Sequence, residues 1–366
     1  MKKIINVTRP SVPDLEKFID RMEKMFESRQ YSNSGPIHNE LEIKLAEYLG
    51  VPYVSLFSNA TIALIIALKQ LNLSGEIITT PYSFVATSNA ILWNHLKPVF
   101  VDINPLDKNI DLKAIENSIG PNTSGILAVH CHGIPCKVKE IDILAEKYNL
   151  KVIYDAAHAF GIKYEGRSLL SYGDLSILSF HSTKVFNTFE GGAIVSHSIE
   201  TKQEIDILRN FGLEDNGDVR LIGLNGKLSE IHSIMGLLEL DVIDEHIKKR
   251  KKVHEIYTSE LSPIKNISFV QIDDIEDYNY SYYPIYIEEK KEINRDFIFE
   301  HLKINGINAR KYFYPLISDL SAYKKDVNYY TNASKASQNV LCLPIYPEMH
   351  ESSVYRIARL IKDLYK

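Results

Sequence analysis

The chain has 366 residues, 45% hydrophobic and 24% charged, with a formal net charge of -5. That length exceeds one ordinary core, which predicts a large domain over 1–240 and a smaller one over 241–366, while the acidic balance gives no general attraction to nucleic acid or anionic membranes. No apolar run is long enough to span a bilayer, the longest being Ile62 to Leu68, and three cysteines fit a reducing cytoplasm rather than a disulfide framework.

The start, Met1-Lys2-Lys3-Ile4-Ile5-Asn6, has too short an apolar run for a signal peptide. Ser58-Asn59-Ala60-Thr61 then precedes Ile62 to Leu68, predicted as a helix apolar on every side and therefore buried. Its first amides, with the Thr61 hydroxyl, read either as a simple cap or as an anion cup. Short β-branched runs alternate with helical stretches and predict strands at Ile77–Thr80, Pro98–Val101, Ile126–Val129, Val152–Tyr154, Leu175–Phe180 and Ala193–Val195. Unbroken apolar strands separated by helices argue for a mostly parallel α/β sheet covered on both faces, with ligands beyond the strands' carboxyl ends. Pro81-Tyr82-Ser83-Phe84 follows one such end, so Phe84 is either a ring that stacks on a flat ligand or an ordinary core aromatic.

His130, Cys131, His132 and Cys136 resemble a metal cluster. If 130–132 continue the strand, Cys131 points away from the two histidines, and no second ligand pair follows at zinc-finger spacing, so no metal is expected. Glu190-Gly191-Gly192 lacks the wider glycine pattern of a P-loop or dinucleotide fingerprint. Met235 to Tyr257 reads as one long helix with acids ahead of bases, its basic end a solvated face. The remainder reads as a small α+β domain in which Tyr278 to Tyr286 forms a strand.

The chemistry centres on two strand ends. Lys184 follows Leu175–Phe180 on a turn, where lost solvation lowers an amine's proton affinity and favours imine formation with an aldehyde. Upstream, Val152-Ile153-Tyr154 ends in Asp155-Ala156-Ala157-His158. A carboxylate near such a lysine is what pyridoxal 5'-phosphate (PLP) chemistry requires, because it keeps the pyridine nitrogen protonated. Ser179 stands where it can donate to the same phosphate as Thr61. His158 can reach the ring's phenolic oxygen or serve structure alone.

These residues, with Asn33-Ser34-Gly35-Pro36, Thr80 to Phe84, His130 with Gly133 and Pro135, and Gly223-Leu224-Asn225, give a chain that resembles the sugar-nucleotide aminotransferases of the DegT/DnrJ/EryC1/StrS group nearly end to end. The resemblance implies the PLP-dependent aspartate-aminotransferase fold, with Lys184 bonded to the cofactor aldehyde and Asp155 at the pyridine nitrogen. It also implies Phe84 stacked on the ring, His158 near the phenolic oxygen, and Ala60 (backbone), Thr61 and Ser179 on the phosphate. Asn225 matches an asparagine that serves the neighbouring subunit's phosphate site, implying a homodimer with shared active sites. Lys227 stands where relatives often have arginine. Arg310 and Tyr312 are candidates for the sugar nucleotide, though Arg310 equally fits a surface position. Phe180 to Gly192 and Tyr312 to Leu316 look most like the branch that uses L-glutamate to form dTDP-4-amino-4,6-dideoxyglucose, a sugar of bacterial surface glycans such as O-antigen. Transamination of a 3-keto or a UDP- or GDP-linked sugar is one alternative, and a non-catalytic regulatory protein with the same fold, against which the intact lysine and aspartate argue, is an alternative of a different class. The related dehydratases carry histidine in place of Lys184.

Overall fold

The computed structural model describes residues 4–272, 275–323 and 329–366; the reading made of Met1–Lys3 lies outside them. Nine strands form its first two-thirds: β1 (Tyr53–Phe57), β2 (Glu76–Thr79), β3 (Lys97–Phe100), β4 (Thr123–Val129), β5 (Lys151–Asp155), the short pair β6 (Lys163–Tyr164) and β7 (Arg167–Ser168), β8 (Leu175–Ser179) and β9 (Gly192–Ser196). Seven of them build one sheet in the order β1-β9-β8-β5-β4-β2-β3. Contacts among β2, β3, β4, β5 and β8 are parallel, as the unbroken apolar runs predict, because Ile77, Ile78, Leu127, Ile153 and Ile177 are buried. The expected strand at 193–195 is β9, which runs antiparallel between β8 and β1. Tyr53–Phe57 was not anticipated as a strand; it is an edge that pairs with β9.

The predicted buried helix spans Ala60–Gln70, and Asn59 caps it by accepting the Ile62 amide at 2.9 Å. Ala63, Leu64, Ile66, Ala67 and Leu68 bury in a core with Leu127, Ile153, Ile177 and Ile194 from the sheet face. On the opposite face Leu56, Ile126, Val152, Tyr154 and Leu178 join Leu41 and Leu45 of the helix Pro36–Leu49.

The single helix expected over Met235–Tyr257 is two, Glu230–Leu240 and Ile243–Leu261. Val242 leaves helical geometry at φ -124 and ψ -4 because the two segments bury against different partners. The first packs on the helices Leu15–Ser28 and Pro36–Leu49, the second on Glu351–Lys362. The C-terminal part is an α+β unit with β10 (Ile267–Ser268), β11 (Tyr283–Ile287) and β12 (Val340–Leu343) in one antiparallel sheet. Ile5 joins this core, its amide donating to the Gly306 carbonyl at 2.9 Å. The strand expected over Tyr278–Tyr286 begins only at Tyr283; Tyr280 has φ 53, and the preceding stretch is held by side-chain bonds instead of a ladder.

Leu127 is fully buried in β4. Leu127→Ala is expected to lower the unfolding free energy by about 2–5 kcal/mol through lost transfer and a residual cavity, read as a reduced urea midpoint at unchanged slope.

Candidate active site

The parallel strands deliver their carboxyl ends to one edge of the sheet, where β2 leads to Thr80–Ser83, β4 to His130, β5 ends at Asp155 and β8 at Ser179. Because β9 runs the other way, its first residue, Gly192, stands at that same edge, opposite both Ser179 and Phe57. A Cβ on Gly192 would lie 2.6 Å from the Ala60 nitrogen, so only glycine lets the Ala60–Gln70 helix start beside Ser179. Asn59 satisfies the Ile62 amide and leaves those of Ala60 and Thr61 facing out of the helix end, without a partner among the described residues. Both residues are half-buried, as is Ser179. Ala60–Thr61 and Ser179 thus flank Gly192 at one edge of the sheet, and free helix-end amides of this kind are able to take a phosphate.

Asp155 is buried. The Thr87 hydroxyl donates to its Oδ2 at 2.7 Å, the Ala157 amide to Oδ1 at 3.2 Å, and Thr87 Oγ1 lies 2.8 Å from Ser83 Oγ. Burial raises the proton affinity of this carboxylate, opposed by those two donors and by the Lys184 charge. Lys184 shows the mirror effect: burial draws its amine down to about 8, against the pull of Asp155. The lysine sits on a tight turn whose amide donates to the His181 carbonyl at 2.8 Å, within a loop closed by Phe180–Gly191 and Thr188–Phe180 backbone bonds.

His158 is buried, and the His132 amide donates to its Nδ1 at 3.2 Å. Nδ1 must therefore accept, which leaves the proton of the neutral ring on Nε2. Burial, the Lys184 charge and His132 hold the ring well below its usual range. The carboxylate, amine, Nε2–H donor and free helix amides fit the ring nitrogen, aldehyde, phenolic oxygen and phosphate expected of PLP. A buried carboxylate with incomplete compensation is a position that a protonated ring nitrogen would complete.

Beside this edge opens a cleft of about 890 Å³ lined by Thr183, Phe84, Arg310, Tyr312, Asn6 and Thr8, among others. Phe84 is 61% exposed, so the ordinary-core reading of that ring is wrong and its face is available to the cleft. Arg310 is exposed, its backbone paired with Cys342; Tyr312 is half-buried and its carbonyl accepts from Tyr82 at 3.2 Å. Asn225 is exposed on the loop after the helix Ile199–Leu208, away from intramolecular side-chain partners among the described residues, and Lys227 donates to Asn210.

The His130–Cys136 segment does not continue the strand. β4 stops at Val129, and Cys131–Gly133 form a tight turn with His132 at φ 55. His130 stacks on Tyr154 at 4.7 Å, its Nδ1 accepts the Cys136 amide, and the Cys136 thiol donates to the Val129 carbonyl. Sequence reasoning missed Thr87, Ser83, His132 and Tyr282, which surround Asp155 and His158. The Ser83–Thr87 spacing of one helical turn was the available signal for the first two.

A mostly parallel sheet that presents a half-buried lysine and a buried aspartate at one edge, beside a helix end with free amides, is an arrangement suited to an aminotransferase that works through a carbonyl cofactor. A model of the DegT/DnrJ/EryC1/StrS aminotransferase family matches residues 14–362, and the chain belongs to that family. The dTDP-4-amino-4,6-dideoxy-D-glucose transaminase of Shigella dysenteriae is 48% identical over 366 residues, the whole of both chains. The Escherichia coli enzyme of that name is 47% identical over 364 residues, 98% of each. The crystal structure of DesI in the presence of its TDP-sugar product matches with a TM-score of 0.94 at 32% identity, covering 99% of this chain and 93% of that one.

An amine drawn down to about 8 is a free base above that pH. Capture of PLP by the cofactor-free protein, followed by absorbance, should therefore rise with pH to a midpoint near 8 instead of the ordinary lysine value of 10.5.

Proposed function

We propose that this aminotransferase uses PLP to move an amino group from L-glutamate to C4 of dTDP-4-keto-6-deoxyglucose, giving dTDP-4-amino-4,6-dideoxyglucose. Full-length identity of 48% to a transaminase of that product carries the substrate assignment, and the Lys184–Asp155 pair carries the chemistry. Bound, PLP supplies an aldehyde carbon to hold the amino group and a ring that spreads the electron pair left when the donor's α-proton departs.

The chain's own residues do the rest. Lys184, a poor base for a lysine and so neutral at only mildly alkaline pH, takes the proton from the α-carbon of glutamate. In the second half-reaction it delivers a proton to C4 of the sugar. Asp155, fixed by Thr87 and the Ala157 amide, would keep the ring nitrogen cationic, and the His158 Nε2–H would donate to the phenolic oxygen. The Ala60 amide, Thr61 and Ser179 would hold the phosphate. Phe84 would cover the ring, and Arg310 with Tyr312 would meet the sugar nucleotide along the cleft.

The site is complete only in a homodimer, in which Asn225 reaches the partner's phosphate cup. Supporting this, Phe211, Val219 and Ile222 around that loop and Leu15, Ile19 and Phe26 on the Leu15–Ser28 helix are exposed apolar side chains. The division at residue 240 would separate a cofactor-holding part from one that closes the substrate side. Among the described residues no helix is long and apolar enough to cross a membrane; synthesis of a nucleotide sugar for surface glycans in the cytoplasm is the setting this reading implies.

Lys184→Ala should keep the fold by circular dichroism and abolish turnover of dTDP-4-keto-6-deoxyglucose. Substantial activity in that variant would contradict the assignment. Asp155→Ala should retain part of its PLP and lose about a hundredfold or more in kcat.

A further inference from the structure

Tyr282 has no role in the chemistry described so far, yet the structure holds it with unusual care. It ends the irregular segment 278–282, which crosses behind the site before β11 begins. Four side-chain hydrogen bonds pin this segment to main-chain carbonyls. Tyr278 Oη donates to the His132 carbonyl at 2.8 Å and Ser281 Oγ to the same oxygen at 3.2 Å. Asn279 Nδ2 donates to the carbonyls of His158 and Phe160, each at 2.9 Å. Asn279 is fully buried, and its Oδ1 accepts the Ser281 amide at 3.0 Å, so both ends of the amide are engaged within the clasp.

The pins reach the turns after β4 and β5, which carry His132 and His158, and the Tyr282 ring packs on the rings of those same two residues. Its centroid is 4.7 Å from that of His158 at 60°, 5.5 Å from His132 and 5.7 Å from Tyr312. Three ring contacts on one side chain leave it little freedom to swing. The Lys184 amine lies 5.9 Å from the ring centroid. At that distance a ring face stabilises an ammonium without offering a hydrogen-bond acceptor that would draw the amine aside. From this geometry we infer that Tyr282 is a positioning residue for Lys184, confining its amine on the His158 side of the site, and that Asn279 is the clasp that fixes Tyr282. The inference rests on the PLP reading of the site, and it concerns residues which that reading leaves without a role.

Tyr282→Leu keeps an apolar side chain and removes the ring. In the cofactor-free protein it should shift the pH midpoint of PLP capture downward, because the ammonium loses the ring face. In the holoenzyme it should lower kcat about tenfold at unchanged KM for the sugar nucleotide, the expected effect of a misplaced proton carrier. Tyr282→Phe, which retains the ring, should restore both. Asn279→Ala should reproduce the leucine variant; if it fails to fold, the two Tyr282 variants decide. A leucine variant with the wild-type midpoint and kcat overturns the inference alone. So does a phenylalanine variant as impaired as leucine, which would move the role to the hydroxyl. A wild-type protein that captures no PLP at Lys184 overturns the cofactor reading and this inference with it.

Discussion

Burial acts in opposite senses on the two groups at the centre of this protein. It makes the Lys184 amine a weaker base and the Asp155 carboxylate a weaker acid, and their mutual attraction recovers part of the cost of removing both from water. Neither group is comfortable as it stands. A carboxylate of this kind gains from a cationic ring nitrogen, and an amine of this kind gains from bonding to an aldehyde. The site therefore holds unfavourable solvation that a suitable cofactor relieves, which is a physical reason for binding one tightly.

Much of the surrounding architecture serves to keep that pair and the anion cup in register. Glu42, on the helix Pro36–Leu49, accepts the Leu56 amide at 2.9 Å, Arg209 at 2.6 Å and Lys202 at 2.8 Å. Arg209 in turn donates to the Leu56 carbonyl at 2.8 Å, and its own carbonyl accepts the Gly226 amide at 2.9 Å. One largely buried ionic cluster thus ties the end of β1, which feeds Ser58–Thr61, to the loop that carries Asn225. Buried ion pairs add little net stability, so the consequence of this cluster is the set of segments it joins. Here those segments are the helix end at Ala60–Thr61 and the loop that carries Asn225.

The sequence disclosed what depends on local pattern. The apolar runs at 77–80, 126–129, 152–154 and 175–180 carry their strand character in consecutive residues, and Asp155 and Lys184 could be read off the ends of two of them. What escaped depends on distant partners. Tyr53–Phe57 is an edge strand whose pairing waits on β9, far along the chain. The break at Asp241–Val242 has no proline or glycine to announce it and arises because two helical segments bury against different neighbours. Tyr278–Tyr282 alternates like a strand, but its backbone is held by loop carbonyls, and a tyrosine at φ 53 cannot be inferred from the alternation. Thr87 and His132 matter because the fold brings them to Asp155 and His158, and nothing in their local sequence states that.

The most direct measurement is product analysis by mass spectrometry and NMR after incubating the protein with PLP, L-glutamate and dTDP-4-keto-6-deoxyglucose. An equatorial amine at C4 of the sugar, formed with an equivalent amount of 2-oxoglutarate, is the predicted result. No amination of that sugar, with glutamate still converting the bound cofactor to its amine form, would contradict the substrate assignment and direct the search to other ketosugars. No reaction with glutamate at all would contradict the role given to Lys184 and Asp155.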